Sequence, residues 1–303
     1  MHNIKANIMY NITNILRGDI MFRIIRIKKL PVFAAVTSLI IAAAAFAGSS
    51  RAEESSVGTR VPIIMYHSIS RDESRSGEYV VTPQVFEEDI LYLKNNGYEP
   101  ITVNELILSR RCGTQLPKKP VIITLDDGHL NALTQALPII RRHGFKMTVS
   151  VVGSFAEAAG EQAEPDENTD YCDYKDIAAL RKSGICEIAC HSYDMHSLDE
   201  RKGVLRLDSE SFESYREVFL RDILKAQKGL ESSCDFKANI FCYPYGFYDS
   251  ASEKVIKSAG FEAALTCEER VNIIDDDTDL YRLGRFNRPC GESSEEFFER
   301  VLD

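Results

Sequence analysis

Residues 120–128 of the chain read PVIITLDDG. The first six, Pro120–Leu125, are apolar or β-branched and show no alternation with polar residues, which is typical of a strand buried on both faces of a parallel sheet. Two carboxylates and a glycine, Asp126-Asp127-Gly128, follow directly. The stretch therefore predicts a buried parallel strand that delivers two acidic side chains at its carboxyl end.

Runs of the same kind recur along the chain and alternate with longer segments that have helical patterns. The predicted strands are Val61–Tyr66, Pro120–Leu125, Lys146–Val152, Ile185–Cys190, Ala238–Tyr243, Glu262–Leu265 and Leu280–Arg285. The predicted helices are Pro83–Asn95, Asn131–His143, Tyr174–Lys182, Phe212–Glu231, Ser250–Ser258 and Ser294–Leu302. This alternation favours a parallel sheet, and about 240 residues without an internal linker fit one α/β barrel better than two small domains.

The N-terminal region differs from the rest. Basic residues between Arg23 and Lys29 precede an apolar run over residues 31–47 that ends in Ala-Phe-Ala. This pattern indicates a signal peptide, and the run is also close to the minimum length for an uncleaved membrane anchor. We expect residues 1–52 to be an N-terminal extension with a signal peptide or anchor, 53–60 a linker, and 61–303 the folded domain of an exported protein that is secreted or held at the cell surface.

Charge and cysteine content narrow the function classes. Beyond residue 52 the chain carries 29 basic and 45 acidic side chains, a formal charge of −16. Such a domain repels phosphate backbones, which argues against nucleic acid as a partner. It is compatible with a neutral or cationic glycan, and equally with a merely solvated acidic surface. The eight cysteines match neither a small disulfide scaffold nor a zinc ribbon, so the sequence does not determine their pairing.

Unusual polar residues follow four of the predicted strands. His67, the Asp126-Asp127 pair, His191 and the turn Pro244-Tyr245-Gly246 each come directly after a strand or at its end. Any one of them is an ordinary turn or packed residue when taken alone. Because functional groups of a parallel barrel gather at the carboxyl ends of its strands, four together predict a site there.

Two histidines and a carboxylate supply three metal ligands. Three protein ligands with a fourth position open to water are the arrangement of catalytic zinc. His191 and His196 are five residues apart, which on one helix would place them roughly 140° apart. They can therefore converge only if His191 lies at the strand end and His196 lies in the loop or helix start beyond it.

Two of these stretches resemble known motifs. TLDDG at 124–128 and HSYDMH at 191–196 resemble the first and second motifs of the polysaccharide deacetylase family (NodB homology, carbohydrate esterase 4). The resemblance extends from about residue 60 to the C-terminus. It implies a distorted (β/α)7 barrel as a single catalytic domain with Asp126 as the general base. It also implies that Asp127, His191 and His196 bind one divalent metal ion, for which we expect Zn²⁺.

The chain departs from the commoner pattern of the family in several places. The commoner form spaces its metal histidines four residues apart and has an arginine in the third motif. Here the corresponding stretch, FCYPYG at 241–246, contains no arginine. The chain has no tryptophan for a fourth motif and no histidine after His196 to act as the usual general acid.

These departures are similar to one branch of the family. VPIIMYHSI at 61–69 resembles the opening strand of deacetylases that act on poly-N-acetylglucosamine, in which the acid histidine comes from this position and the metal histidines are five apart. The resemblance implies that His67 is the general acid. Arg285 is a candidate to replace the missing arginine beside Asp126, with a surface salt bridge as the alternative. The metal and the backbone N–H of Tyr245 are expected to stabilise the oxyanion.

The sequence therefore predicts a metal-dependent hydrolase that removes N-acetyl groups from an N-acetylglucosamine-containing polysaccharide and releases acetate. An O-acetyl esterase on xylan-type glycans and a non-catalytic glycan-binding member of the fold are the alternatives. The expected partner is the N-acetylated polysaccharide. We expect a monomer that meets the membrane only through an uncleaved N-terminal segment.

Overall fold

The computed structural model describes residues 58–302. The predicted N-terminal extension, with its signal peptide or anchor, lies outside the described residues, as does most of the predicted linker. Within the described part of the chain, no helix combines the length and the apolar character needed to cross a bilayer.

The described residues alternate strands and helices as the sequence predicts. The strands are β1 (Thr59–Val61), β2 (Ile63–Tyr66), β3 (Ser68–Ile69), β4 (Val80–Val81), β5 (Glu99–Pro100), β6 (Pro120–Leu125), β7 (Met147–Val151), β8 (Cys186–Cys190), β9 (Ile240–Cys242), β10 (Ala263–Leu265), β11 (Asn272–Ile274) and β12 (Phe286–Asn287). The α-helices are α1 (Pro83–Asn95), α2 (Val103–Cys112), α3 (Leu137–His143), α4 (Gly153–Ala159), α5 (Tyr174–Lys182), α6 (Phe212–Cys234), α7 (Ser250–Ser258) and α8 (Ser294–Leu302).

A parallel sheet forms the centre of the fold. Its strands run in the order β10-β9-β8-β7-β6-β2-β12, with β5 paired to β6, and each pair is parallel. All six residues of β6 are buried. Because successive side chains of a strand point to opposite faces, Ile63 and Ile122 belong to one hydrophobic cluster, which includes residues of α2. Ile64 and Ile123 belong to another, which includes residues of the other α-helices.

The segment over residues 283–288 joins the two ends of this sheet. The backbone N–H of Leu283 donates to the carbonyl of Ala264 in β10 at 3.0 Å, and the N–H of Thr266 donates back to the carbonyl of Leu283 at 2.8 Å. Further along, β12 pairs with β2, and the N–H of Arg288 donates to Met65 at 2.9 Å. The sheet therefore closes into a distorted barrel, which confirms the predicted α/β barrel.

Several predicted elements are confirmed at their bounds, and one strand is wrong. β6, α1, α5, α7 and α8 begin and end where the sequence predicts. The predicted strand Leu280–Arg285 is instead a 3₁₀ turn over Leu280–Arg282, and the strand β12 follows later. The carboxylate of Asp279 accepts from the N–H of Tyr281 at 3.0 Å, which stabilises the turn in place of extended backbone.

Three further differences concern the end of the linker, the start of one helix and two helices that were not predicted. The predicted linker extends to residue 60, but Thr59 already pairs with Ile274 in the small antiparallel sheet of β1 and β11. The predicted helix Asn131–His143 starts with a wide π turn, because Pro138 has no N–H to donate within an α-helical turn. The helices α2 and α4 were not predicted, although Thr102 and Glu105 form a capping box at the start of α2.

A buried ion pair anchors the closing segment to the first helix. The guanidinium of Arg288 donates to the carboxylate of Asp89 on α1 at 2.8 and 3.1 Å, and the Tyr66 hydroxyl donates to the same carboxylate at 2.9 Å. Arg288 and Asp89 are both fully buried. Removing one partner of such a pair leaves an uncompensated buried charge, which costs about 3–5 kcal/mol.

We therefore expect Arg288→Met to lower the free energy of unfolding by about 3–5 kcal/mol in urea denaturation. Lys237→Met is the control, because Lys237 forms an exposed pair with Glu231 at 3.2 Å. Exposed pairs contribute about 1 kcal/mol or less. A loss for Arg288→Met no larger than that of the control would contradict the assignment of this pair as the anchor.

Candidate active site

The strand ends form a cleft of about 610 Å³. Six of the seven predicted site residues line it, and the cleft is completed by side chains from the neighbouring loops. The predicted residues that line it are His67, Asp126, Asp127, His191, His196 and Tyr245. The seventh, Arg285, is fully buried and bonds to Asp126, so the structure brings all seven into one region.

The two adjacent carboxylates point to different surroundings because the backbone turns between them. Asp127 has a φ of +67° and Gly128 a φ of +72°, both in the left-handed region. Aspartate is one of the few residues other than glycine that adopts this region at modest cost. Asp126 remains buried with 2% of its surface exposed, whereas Asp127 is half-buried and faces the cleft.

Asp126 forms a bidentate ion pair with Arg285. The two guanidinium nitrogens donate to the two carboxylate oxygens at 2.7 and 2.8 Å, and the Ser150 hydroxyl donates to Oδ1 at 2.6 Å. Burial raises the pKa of Asp126, but the charge and hydrogen bonds of Arg285, together with the nearby His191 and His67, outweigh burial and hold the pKa well below its usual range. The arginine is thus a buried partner of Asp126 and not part of a surface salt bridge.

His191 and His196 converge on Asp127. His191 is the first residue after β8, and His196 lies in the following loop. Nε2 of His191 is 3.5 Å and Nε2 of His196 is 3.2 Å from Oδ1 of Asp127. One ligand atom from each of the three residues lies within 4.8 Å of the others. The expectation that the first histidine ends the strand and the second occupies the loop agrees with these positions.

This donor set fits a divalent metal ion. Nδ1 of His191 lies 2.8 Å from the carbonyl oxygen of Cys242, so it serves as the N–H donor and leaves the Nε2 lone pair directed at the site. Burial lowers the pKa of His191, which favours the neutral imidazole. Burial raises the pKa of Asp127, but the hydrogen bond with His196 and the electrostatic interactions with the three nearby histidines, His191, His67 and His196, together lower it to about 2. A carboxylate and two neutral imidazoles are typical zinc ligands.

Tyr245 packs against His196. Their rings lie 4.7 Å apart between centroids, and the phenolic oxygen is 3.3 Å from Nδ1 of His196. Tyr245 has a φ of +57°, which turns its side chain back toward this histidine. The sequence motif indicated a role only for the backbone N–H of Tyr245 and gave no sign of this contact between the phenol and a candidate ligand.

His67 follows β2 and lines the cleft beside Tyr79, with their rings 4.8 Å apart between centroids. Its buried Nδ1 has no hydrogen-bond partner among the described residues. The chain just after it is held by Asn131, whose side chain accepts from the N–H of Ile69 and donates to the hydroxyl of Ser68, each at 2.9 Å. The imidazole is thus placed at the cleft on a fixed backbone.

His129 lies at the site although it was not among the residues predicted from the sequence. Its Nε2 is 3.9 Å from Oδ2 of Asp127, and its ring stacks on that of Tyr171 at 4.8 Å. Burial lowers the pKa of His129 to about 4, so the ring is neutral at physiological pH. Its position two residues after Asp127, in the turn between strand and helix, was the signal that could have found it.

Comparison with known proteins finds a matching family model and similar deacetylases. The family model described as polysaccharide deacetylase matches residues 113–264. A poly-beta-1,6-N-acetyl-D-glucosamine N-deacetylase of Escherichia coli is 22% identical over 258 residues, covering 79% of this chain and 38% of its own length. The protein of the same name from Staphylococcus aureus is 28% identical over 193 residues, covering 63% of this chain and 62% of its own. The chain thus spans well under half of the first relative.

Solved structures share the fold. The IcaB structure from Ammonifex degensii superposes with a TM-score of 0.66 at 22% identity and covers 81% of this chain and 98% of its own. The deacetylase PplD of Streptococcus pyogenes, solved in complex with acetate, gives a TM-score of 0.64 at 19% identity, with coverages of 80% and 99%. The family match over half of the sequence and the shared distorted barrel lead to one conclusion: this chain belongs to the polysaccharide deacetylase family.

Proposed function

We propose that this chain is a metal-dependent hydrolase that removes N-acetyl groups from an N-acetylglucosamine-containing polysaccharide and releases acetate. One observation carries the proposal: adjacent carboxylates serve two environments, one paired with a buried arginine and the other grouped with two histidines. The similarity to proteins named poly-beta-1,6-N-acetyl-D-glucosamine N-deacetylase supports the choice of substrate class.

Asp127, His191 and His196 would hold one divalent metal ion, and Zn²⁺ suits two imidazoles and one carboxylate. When bound, the metal polarises a carbonyl and makes water acidic enough to attack at neutral pH. The hydrogen bond from His191 to the carbonyl of Cys242 orients that imidazole before any metal arrives.

Asp126 is the proposed general base. The bidentate contact with Arg285 keeps its carboxylate ionised, and the Ser150 hydroxyl fixes one oxygen. In this state Asp126 accepts the proton of the water that attacks the acetyl carbon. Arg285 acts through Asp126 and has no direct contact with the cleft, so we assign it a positioning role.

His67 is the proposed general acid. An amine leaves the tetrahedral intermediate only when its nitrogen receives a proton, and a protonated imidazole at the cleft can donate it. The C–N bond then breaks to give acetate and a free sugar amine. The backbone N–H of Tyr245 is proposed to stabilise the oxyanion, and its phenol holds His196 in place.

The cleft suits a polymer. Tyr79, Leu198 and Tyr245 line it and are among the more exposed large apolar side chains of the described residues. Such surfaces suit the faces of sugar rings. We propose an N-acetylated polysaccharide as partner and no nucleic acid, with export directed by residues 1–52, membrane attachment only through that segment, and action as a monomer.

The function is tested by acetate release from N-acetylglucosamine oligomers, from acetylxylan and from an aryl acetate, with zinc supplied. We expect release from the oligomers at a higher kcat/KM than from acetylxylan. Preference for acetylxylan would indicate the O-acetyl esterase instead. Binding of the oligomers without any acetate release would indicate a non-catalytic member of the fold.

The ligand assignment predicts how variants divide between metal loss and turnover loss. The purified protein should bind one zinc ion per chain, and Asp127→Ala and His191→Ala should lose it. Asp126→Asn should keep the metal and lose turnover. His143→Ala is the control, because His143 ends α3 outside the cleft and its imidazole is hydrogen-bonded to Glu87 on α1. Elemental analysis of the four variants checks this, and equal metal loss in Asp126→Asn and Asp127→Ala would refute the division of roles.

The acid assignment predicts a substrate-dependent effect of His67→Asn. The variant should keep its metal and lose about 10²–10⁴-fold in kcat on the amide substrate, since a positioned general acid contributes on this scale. The loss should be smaller on an aryl acetate, whose leaving group departs without a proton. Steady-state rates on both substrates check this. Unchanged amide hydrolysis, or equal losses on the two substrates with metal retained, would show that another group protonates the amine.

A further inference from the structure

The loop that carries His196 has a strained start. It begins at His191 and runs without helix or strand to His196. Ser192, the first residue after His191, is buried and has a φ of +73°. A serine in the left-handed region is unfavourable, and such a conformation persists only where surrounding contacts fix it. Something outside the loop must therefore supply those contacts.

A single carboxylate, that of Asp222 on α6, supplies these contacts on one side of the loop. Asp222 accepts hydrogen bonds from three successive backbone N–H groups of the loop, those of Tyr193 at 2.7 Å, Asp194 at 2.8 Å and Met195 at 3.1 Å. Hydrogen bonds to an ionised acceptor are shorter and stronger than those between neutral groups. The three donors immediately precede His196, so the carboxylate fixes the backbone that orients this candidate ligand.

The start of α4 holds the other side of the same loop. The N–H of Gly153 donates to the carbonyl of Ser192 at 3.1 Å, and the N–H of Ser154 donates to the carbonyl of Tyr193 at 2.8 Å. A Cβ at Gly153 would lie 2.6 Å from the ring of Tyr193, so the close approach needs glycine. The loop is therefore held between two helices, and on the α4 side the carboxylate of Glu157 also accepts a hydrogen bond from the Tyr193 hydroxyl.

We propose that Asp222 is a positioning residue that sets the metal affinity of the site by holding the loop in the conformation that turns His196 toward Asp127. The inference rests on the proposed function in one respect, that Asp127, His191 and His196 bind the metal. Asp222 touches neither the metal ligands' side chains nor the cleft. Groups that orient metal ligands in this way typically change metal affinity about 10–100-fold when they are removed.

The test compares Asp222→Ala with a variant on the same helix. Gln227 also lies on α6 and makes two side-chain hydrogen bonds to backbone, donating to the carbonyl of Ala238 at 2.7 Å and accepting from its N–H at 2.9 Å. These bonds anchor the chain before β9, outside the cleft. Gln227→Ala therefore removes comparable contacts from the same helix and leaves the loop that carries His196 unchanged.

Zinc affinity is measured on the full chain by competition with a chromophoric chelator, and the melting temperature is measured on the metal-free proteins. We expect Asp222→Ala to bind zinc about 10–100-fold more weakly than the unsubstituted protein, and excess zinc to restore much of its turnover. Gln227→Ala should lower the melting temperature and leave zinc affinity within about twofold of the original, because it cannot reach the loop.

Wild-type zinc affinity in folded Asp222→Ala, or an equal loss in Gln227→Ala, would overturn the inference. If Asp222→Ala does not fold, Asp222→Asn keeps the volume and one acceptor oxygen and should show a smaller but measurable loss, whereas unchanged affinity there also overturns it. An unsubstituted protein that binds no zinc would instead refute the proposed metal site, so the two failures are distinguishable.

Discussion

The site depends on a turn of the backbone between two neighbouring carboxylates. Asp126 directly follows β6 and remains buried. The left-handed conformations at Asp127 and Gly128 direct the carboxylate of Asp127 into a different environment. Without that turn the two charges would compete for one environment, and mutual repulsion would raise the pKa of one of them. With it, one carboxylate pairs with an arginine and the other faces two histidines.

The barrel's closing segment supplies the buried positive charges that this arrangement requires. Arg285 pairs with Asp126 at the cleft, and Arg288, three residues later, pairs with Asp89 on α1. Both guanidiniums are fully buried. The same stretch of chain therefore closes the sheet and keeps the proposed base ionised. Its two arginines can be buried because each is paired with a carboxylate.

Sequence patterns predicted local features more completely than long-range ones. The buried strand β6, the helix caps and the five-residue spacing of His191 and His196 are encoded within short stretches, and they gave the barrel and the converging ligands. The position of Arg285 depends on which strand closes the barrel, and the segment before it forms a turn stabilised by Asp279 instead of the predicted strand. The three bonds to Asp222 join residues nearly thirty positions apart, a relation that has no periodicity in sequence.

The central claim is that the two neighbouring carboxylates have separate roles, and a crystal structure of the zinc-loaded protein with anomalous diffraction at the zinc edge tests it most directly. The account predicts a single anomalous peak in the cleft, bonded to Nε2 of His191, Nε2 of His196 and a carboxylate oxygen of Asp127, with Asp126 still paired to Arg285. A peak bonded to Asp126, or zinc bound only outside the cleft, would contradict it.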